Sequence, residues 1–103
     1  MYDMTLAVLS QFSYGAGHWC STVESEEGIW AYPLDDPDDE LLLAEHDIEM
    51  VWVMLLTEHH PSIHPAVLKA LRRIIADENA GEVDPFVANI VGQLALFGER
   101  VYS

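Results

Sequence analysis

Three segments of the chain share one pattern, in which a polar residue and a proline precede an apolar periodicity of three and four residues. The pairs that open these segments are Asp36-Pro37, His64-Pro65 and Asp84-Pro85. Backbone N–H groups in the first turn of a helix have no partner within the helix, so proline, which lacks an N–H, is tolerated there. Aspartate is a favoured N-cap. The pattern therefore predicts three helices, over residues 37–59, 65–79 and 85–101.

The helix predicted over residues 37–59 carries two apolar stripes. The first consists of Leu41, Ala44, Ile48, Val51, Trp52 and Leu55. The second lies about 180° away around the helix axis, and it consists of Leu43, Met50 and Met54 with His46 between them. A helix on the surface of a small domain needs only one such stripe. We therefore expect this helix to fill the centre of the core or to use Leu43, His46, Met50 and Met54 as a homodimer interface.

The other two predicted helices each carry one strong apolar stripe. In residues 65–79 the stripe consists of Val67, Leu68, Leu71, Ile74 and Ile75. In residues 85–101 it consists of Phe86, Ile90, Val91, Leu94, Phe97 and Val101. A second face of this last helix is made of small residues, namely Ala88, Gly92 and Ala95, and small residues permit close approach of another helix. On helix propensity alone, Gly92 costs about 1 kcal/mol relative to alanine.

The N-terminal third supports two interpretations. Leu6, Leu9, Phe12 and Ala16 are spaced by three and four residues, and the periodicity continues to Val23, which predicts a helix. The alternative is a strand pair, residues 6–10 against residues 29–32, because the second segment is rich in aromatic and β-branched side chains. We adopt the helix, which leaves residues 26–36 as a connector whose Trp30, Tyr32 and Leu34 cover the core.

The predicted fold class is all-α, with about four helices packed around the long, apolar second helix. The chain has 103 residues, half of them hydrophobic. This is the length of one domain, and the proportion of hydrophobic residues is too high for a disordered chain. We expect a single helical domain over residues 1–103.

The charge balance narrows the possible partners. Four lysines and arginines stand against eighteen aspartates and glutamates, for a formal net charge of −14. Nucleic-acid binding draws its affinity from cations that neutralise phosphates, so direct binding to nucleic acid or to an anionic membrane is not expected. The predicted partner is a protein with a basic surface. The predicted partner-binding residues are Asp35, Asp36, Asp38, Asp39 and Glu40, which form either a solvated helix start or an imitation of nucleic-acid phosphates.

Cysteine usage and the apolar runs indicate the compartment. Cys20 is the only cysteine, so an intrachain disulfide framework is excluded. The N-terminus lacks a basic segment ahead of its apolar stretch, and the longest apolar run, residues 50–56, is far too short to span a membrane. We expect a cytoplasmic protein with no membrane contact.

The residues that could carry chemistry lack a signature. Residues 58–64 hold His59, His60 and His64, and His46 lies upstream, but the spacings typical of zinc sites are absent. Cys20 follows His18 closely, yet a cysteine nucleophile needs an electropositive site, so we expect Cys20 to be a buried apolar residue. We predict no catalytic residues, no metal and no cofactor.

The function that these features favour is a small, acidic, non-enzymatic regulator or inhibitor that binds a basic surface. One alternative is a metal-binding protein or enzyme that uses His46, His59, His60 and His64, and another is a structural subunit of a larger complex. The chain carries no family motif. In size and acidity alone it is similar to small inhibitors such as immunity, antirestriction and anti-CRISPR proteins.

Overall fold

The computed structural model describes residues 2–57 and 60–102. This part of the chain contains four α-helices: α1 (Tyr2–Ala16), α2 (Glu45–Thr57), α3 (Pro65–Asp77) and α4 (Pro85–Phe97). Three strands lie between α1 and α2: β1 (Cys20–Ser25), β2 (Gly28–Pro33) and β3 (Leu41–Leu43). A short 3-10 helix, Ala80–Glu82, precedes α4. The fold is mixed α/β, so the all-α prediction is wrong.

The three strands form one antiparallel sheet with β2 in the centre. A two-residue turn at Glu26 and Glu27 joins β1 to β2. Gly28 follows this turn with a φ of +142°, a conformation that L side chains rarely adopt. A Cβ at Gly28 would also collide with the carbonyl of Leu43. Glycine at this position therefore permits both the turn and the close pairing of β3 with β2.

α4 is the central element of the core. All residues from 87 to 94 are buried, so this stretch of the helix is covered on every side. α1, α2 and β3 pack around it. The prediction that the second helix occupies the centre is therefore wrong, since the fourth helix takes that place.

α1 and α4 approach each other closely at two glycines. Gly15 of α1 lies against the carbonyl of Pro85, and Gly92 of α4 lies against the ring of Phe12. A Cβ at either position would overlap these atoms. Gly92 lies on the predicted small-residue face, so the expectation of close helix approach is confirmed at this position.

The helix predicted to start at Pro37 starts instead at Glu45. Asp-Pro pairs also favour turns, and the N–H of Asp39 donates to the carbonyl of Asp36 at 3.0 Å within such a turn. The residues that follow the turn pair with β2 as β3. From Ile48 onward the first predicted stripe is confirmed, because the structure buries Ile48, Val51, Trp52 and Leu55.

The other two predicted helix starts are confirmed. His64 Nδ1 accepts the N–H of Ala66 at 3.1 Å, and Asp84 Oδ1 accepts the N–H of Val87 at 2.8 Å. α3 ends at Asp77, close to the predicted end. α4 ends at Phe97 because Gly98 adopts a left-handed conformation, so the predicted extension to residue 101 is wrong. Phe86, which was predicted to face the core, is exposed.

The helix predicted for the N-terminal third is confirmed from Tyr2 to Ala16 and wrong beyond it, where β1 begins at Cys20. The buried side of α1 consists of Met4, Thr5, Val8, Phe12 and Ala16, so Leu6 of the predicted stripe is exposed. The alternative strand pair was correct only for residues 29–32. They form a strand, but their neighbours are β1 and β3, while residues 6–10 are helical.

The contact between Gly92 and Phe12 predicts that Gly92→Ala destabilises the protein. Helix propensity alone would favour alanine by about 1 kcal/mol. Overpacking of a core typically costs about 1 to 3 kcal/mol, so the clash with the buried ring should lower the free energy of unfolding. Urea denaturation followed by tryptophan fluorescence measures this change. In the control, Gly17→Ala, the new Cβ would meet only the Ser13 carbonyl at 3.5 Å, so stability should change by less than about 0.5 kcal/mol. A Gly92→Ala protein as stable as wild type would contradict this packing.

Candidate functional site

One face of the sheet has no described helix packed against it. The helices contact β1 and β3 from the side on which Ile29, Ala31 and Leu43 are buried. Successive side chains of a strand point to opposite faces. The strand register therefore places two rows of side chains together on the other face, Val23, Trp30 and Leu42 in one row and Ser21 and Tyr32 in the next. We call these five residues the open face.

The open face is largely apolar and partly accessible. Val23 is 55% exposed, and Trp30, Tyr32 and Leu42 are half-buried. Large aromatic side chains in such a position are enriched at the energetic centres of protein interfaces. The arrangement is suited to contact with another macromolecule.

Carboxylates lie at both ends of the open face. At one end is the hairpin turn, a name we use for residues 24–27, which are the last two residues of β1 and the turn residues Glu26 and Glu27. Glu24 pairs with the buried Ile29, so its side chain points to the covered side of the sheet. At the other end is the acidic loop, residues 35–40, which joins β2 to β3. All eight carboxylates are exposed. Because each strand residue advances about 3.3 Å, the six residues of β2 separate the two groups by roughly 20 Å.

The predicted partner-binding residues lie together, but not at a helix start. Asp35, Asp36, Asp38, Asp39 and Glu40 all belong to the acidic loop, and α2 begins only at Glu45. The helix dipole therefore does not order them, contrary to expectation. Two backbone hydrogen bonds order the loop instead: the N–H of Asp36 donates to the Pro33 carbonyl, and the N–H of Asp39 donates to the Asp36 carbonyl.

Tyr102 connects the acidic loop to the core. Its hydroxyl donates to Asp35 Oδ1 at 3.1 Å, and its ring stacks on Trp19 with 4.5 Å between centroids. Burial, the hydrogen bond to Asp35 and the negative charges of Asp35 and Asp39 raise the pKa of Tyr102 above its ordinary value of 10.0. The phenol therefore remains a hydrogen-bond donor at neutral pH.

A buried amide network holds Tyr102 in place. Gln93 Oε1 accepts the N–H groups of Val101 and Tyr102 at 2.8 and 2.7 Å, and its Nε2 donates to the carbonyl of Tyr102. Gln93 Nε2 also donates to Asn89 Oδ1, which accepts Trp19 Nε1 at 2.8 Å. The segment after α4 is thus bound to the core side of the molecule through side-chain amides.

The predicted dimer interface is only partly available. Leu43 is fully buried in β3, so it cannot contribute to an exposed stripe, and this part of the prediction is wrong. His46 and Met50 are exposed on α2, whereas Met54 is half-buried against the core. The exposed apolar side chains of α2, which we call the helix stripe, are Met50, Val53 and Leu56, at 59%, 61% and 50% exposure.

The histidines have separate structural surroundings. His60 is buried with Nε2 3.0 Å from the carbonyl of Met54, near the end of α2, and His64 caps α3. His46 is exposed, and His59 lies outside the described residues. Within residues 2–57 and 60–102, no group of three or more potential ligands could hold a metal ion.

Cys20 is buried, as expected, and its Sγ lies 3.5 Å from the carbonyl of Ala16. Burial raises the pKa of the thiol from 9.0 to about 11. Because the thiolate is the nucleophilic form, a thiol with this pKa is a poor nucleophile at neutral pH.

The residues of the open face were missed by the sequence analysis. Trp30 and Tyr32 were assigned to a connector covering the core, but they alternate with the buried Ile29, Ala31 and Pro33 and point away from it. That alternation, together with Gly28, was the available signal of a hairpin strand.

Comparisons with protein-family models, with curated proteins and with solved structures find no match to this chain. Among the described residues, no helix is both long and apolar enough to cross a membrane.

The raised pKa of Cys20 predicts how stability changes at alkaline pH. The folded state holds the thiol proton more tightly than the unfolded state, so this contribution is complete below pH 9 and is lost as the pH rises towards 11. The free energy of unfolding should therefore fall more steeply over this range in wild type than in Cys20→Ala. Denaturant titrations at a series of pH values measure both curves, and parallel curves would contradict the assignment.

Proposed function

We propose that this protein is a non-enzymatic regulator or inhibitor that binds a partner protein with a basic surface, using the open face as the centre of the contact. One observation carries the proposal: an uncovered apolar sheet face that includes Trp30 and Tyr32 lies between two groups of carboxylates. An apolar, aromatic centre with a charged periphery is the usual anatomy of a specific protein interface.

The two parts of this surface have different physical roles. Burial of Trp30, Tyr32, Val23 and Leu42 would supply most of the binding free energy through removal of apolar area from water. The hairpin turn and the acidic loop would accelerate association with a cationic partner and select against anionic ones. Binding would inhibit the partner if the covered basic surface is one that the partner itself uses.

Imitation of nucleic-acid phosphates is the less favoured form of this proposal. Phosphates form a closely spaced row along a duplex, whereas here an apolar row about 20 Å long separates the two acidic groups. A partner surface with an apolar centre and basic flanks fits this arrangement better.

The proposed compartment is the cytoplasm, because Cys20 is a free thiol.

Self-association through the helix stripe is a second proposal. Met50, Val53 and Leu56 lie on one side of α2, and a twofold dimer would place each stripe against its copy. The net charge of −14 opposes this contact, so salt should strengthen the dimer by screening. Salt should have the opposite effect on the basic partner.

A matched pair of lysine substitutions tests the open face. Val23→Lys places a positive charge on the open face, and Val53→Lys makes the same change on α2 at similar exposure. With each protein as bait in a lysate of the source organism at low salt, we expect Val23→Lys to lose the partners that wild type and Val53→Lys retain. Retention by Val23→Lys together with loss by Val53→Lys would assign the contact to the helix stripe instead.

The acidic loop is tested with the captured partner in hand. Asp36→Asn, Asp38→Asn, Asp39→Asn and Glu40→Gln together should slow association and flatten its salt dependence, with little change in the dissociation rate. Asp35 is left intact because it accepts the hydrogen bond from Tyr102. Unchanged association kinetics would show that the loop does not steer binding.

The helix stripe predicts a dimer that two substitutions dissociate. Wild type should sediment as a dimer at micromolar concentration, with a larger dimer fraction at higher salt. Met50→Glu with Val53→Glu should give a folded monomer, because four added carboxylates would face one another across the twofold axis. A wild-type protein that sediments as a monomer at both salt concentrations would exclude the dimer. A structural subunit of a larger complex would instead aggregate when produced alone.

A further inference from the structure

A groove of about 670 Å³ lies beside the hairpin turn, where three elements meet. α1 contributes Leu6 and Leu9, and the hairpin contributes residues 24–29. Ala44 and the first two residues of α2, Glu45 and His46, complete the lining. We call it the hairpin groove. Its volume falls within the range of about 300 to 1,000 Å³ that is typical of ligand sites.

The hairpin groove combines an apolar floor with an anionic rim. The floor consists of Leu6, Leu9, Ile29 and Ala44. The rim consists of Glu24, Glu26, Glu27 and Glu45, all of them exposed. In the described part of the chain none of these four glutamates forms an ion pair, and no lysine or arginine lines the groove. The rim charges are therefore available to a cation from outside.

We infer that the hairpin groove binds a segment of the partner protein in which a lysine or arginine is flanked by apolar residues. Lysine and arginine side chains pack their aliphatic stems on apolar surface and keep the charged end in water. The floor matches the stem and the neighbouring apolar residues, and the rim matches the charge. A metal ion does not fit, because no three potential ligands among the described residues converge there.

This inference deepens the proposed function and rests on it. The hairpin turn is the wall of the groove and also one acidic end of the open face. Glu24 and Ile29, which line the groove, point to the side of the sheet opposite Trp30. A partner that covers the open face therefore reaches the groove by extending around the hairpin turn. The groove would bind the basic flank of the partner, while Trp30 and Tyr32 would contact the apolar centre of the partner's surface.

The test is an NMR titration of the full chain with a defined probe, the acetylated and amidated peptide Ser-Leu-Lys-Leu-Ser. Resonances of Leu6, Leu9 and Ala44 should shift with saturable binding. The same peptide with glutamine in place of lysine should leave them unshifted. Spermidine provides a cation without apolar side chains. If spermidine shifts these resonances at the same concentration as the peptide, the groove binds cations in general, and the inference of a peptide segment as its occupant is overturned.

Two double variants with equal charge change locate the binding. Glu24→Gln with Glu45→Gln removes one lining carboxylate of β1 and one of α2 and should weaken peptide binding about tenfold. Glu82→Gln with Glu99→Gln removes two exposed glutamates elsewhere and should weaken it less than about twofold. Equal weakening by both pairs would overturn the inference, since net charge alone would then account for binding. The wild-type shift map stands as evidence even if a variant folds poorly.

The outcomes separate this inference from the proposed function. Peptide-induced shifts confined to the acidic loop would overturn the groove site and leave binding of a basic partner intact. Shifts at the groove, with partner capture unaffected by Val23→Lys, would support the groove and contradict the open face as the centre of the contact.

Discussion

The close approach of α1 and α4 is the constraint on which the rest of the structure depends. It requires glycine at two positions, Gly15 against the Pro85 carbonyl and Gly92 against the Phe12 ring. With these two helices in contact, α4 is enclosed, and the short segment after α1 brings the chain directly into β1. The helices then pack on the side of the sheet where Ile29, Ala31 and Leu43 are buried. The open face is the side that this packing leaves uncovered.

A second consequence is the buried amide network beneath Trp19. Buried polar groups are costly unless they are hydrogen-bonded, and Gln93 satisfies its carbonyl with two backbone N–H groups from the segment after α4. That segment places Tyr102 between Trp19 and Asp35. A core glutamine therefore determines where the acidic loop begins, although more than fifty residues of sequence separate them. The loop combines an anchored first carboxylate with solvent-exposed ones that follow.

Local signals in the sequence predicted helix starts and core stripes, and they failed where one signal serves two structures. His64-Pro65 and Asp84-Pro85 open helices, but Asp36-Pro37 opens a turn, because the same residue pair suits both conformations. The hairpin turn has glutamates at the positions where Asn-Gly is the strong signal, so the sheet was missed. The acidic loop was found because charge is visible in sequence. The open face and the hairpin groove depend on strand pairing, which no local pattern specifies.

The acidity of the chain also bears on how an open sheet remains a discrete molecule. β1 and β3 are both edge strands, and an apolar face with unpaired edges is a template for association with further copies. β3 has only three residues, and a short edge strand offers little backbone for pairing with another copy. Carboxylates flank both ends of the open face, so two copies that approach sheet to sheet bring like charges together. The Debye length is about 10 Å at 0.1 M salt, so this repulsion acts mainly at contact. A partner with basic flanks turns the same charges into attraction, so the groups that oppose self-association are also the ones that select the partner.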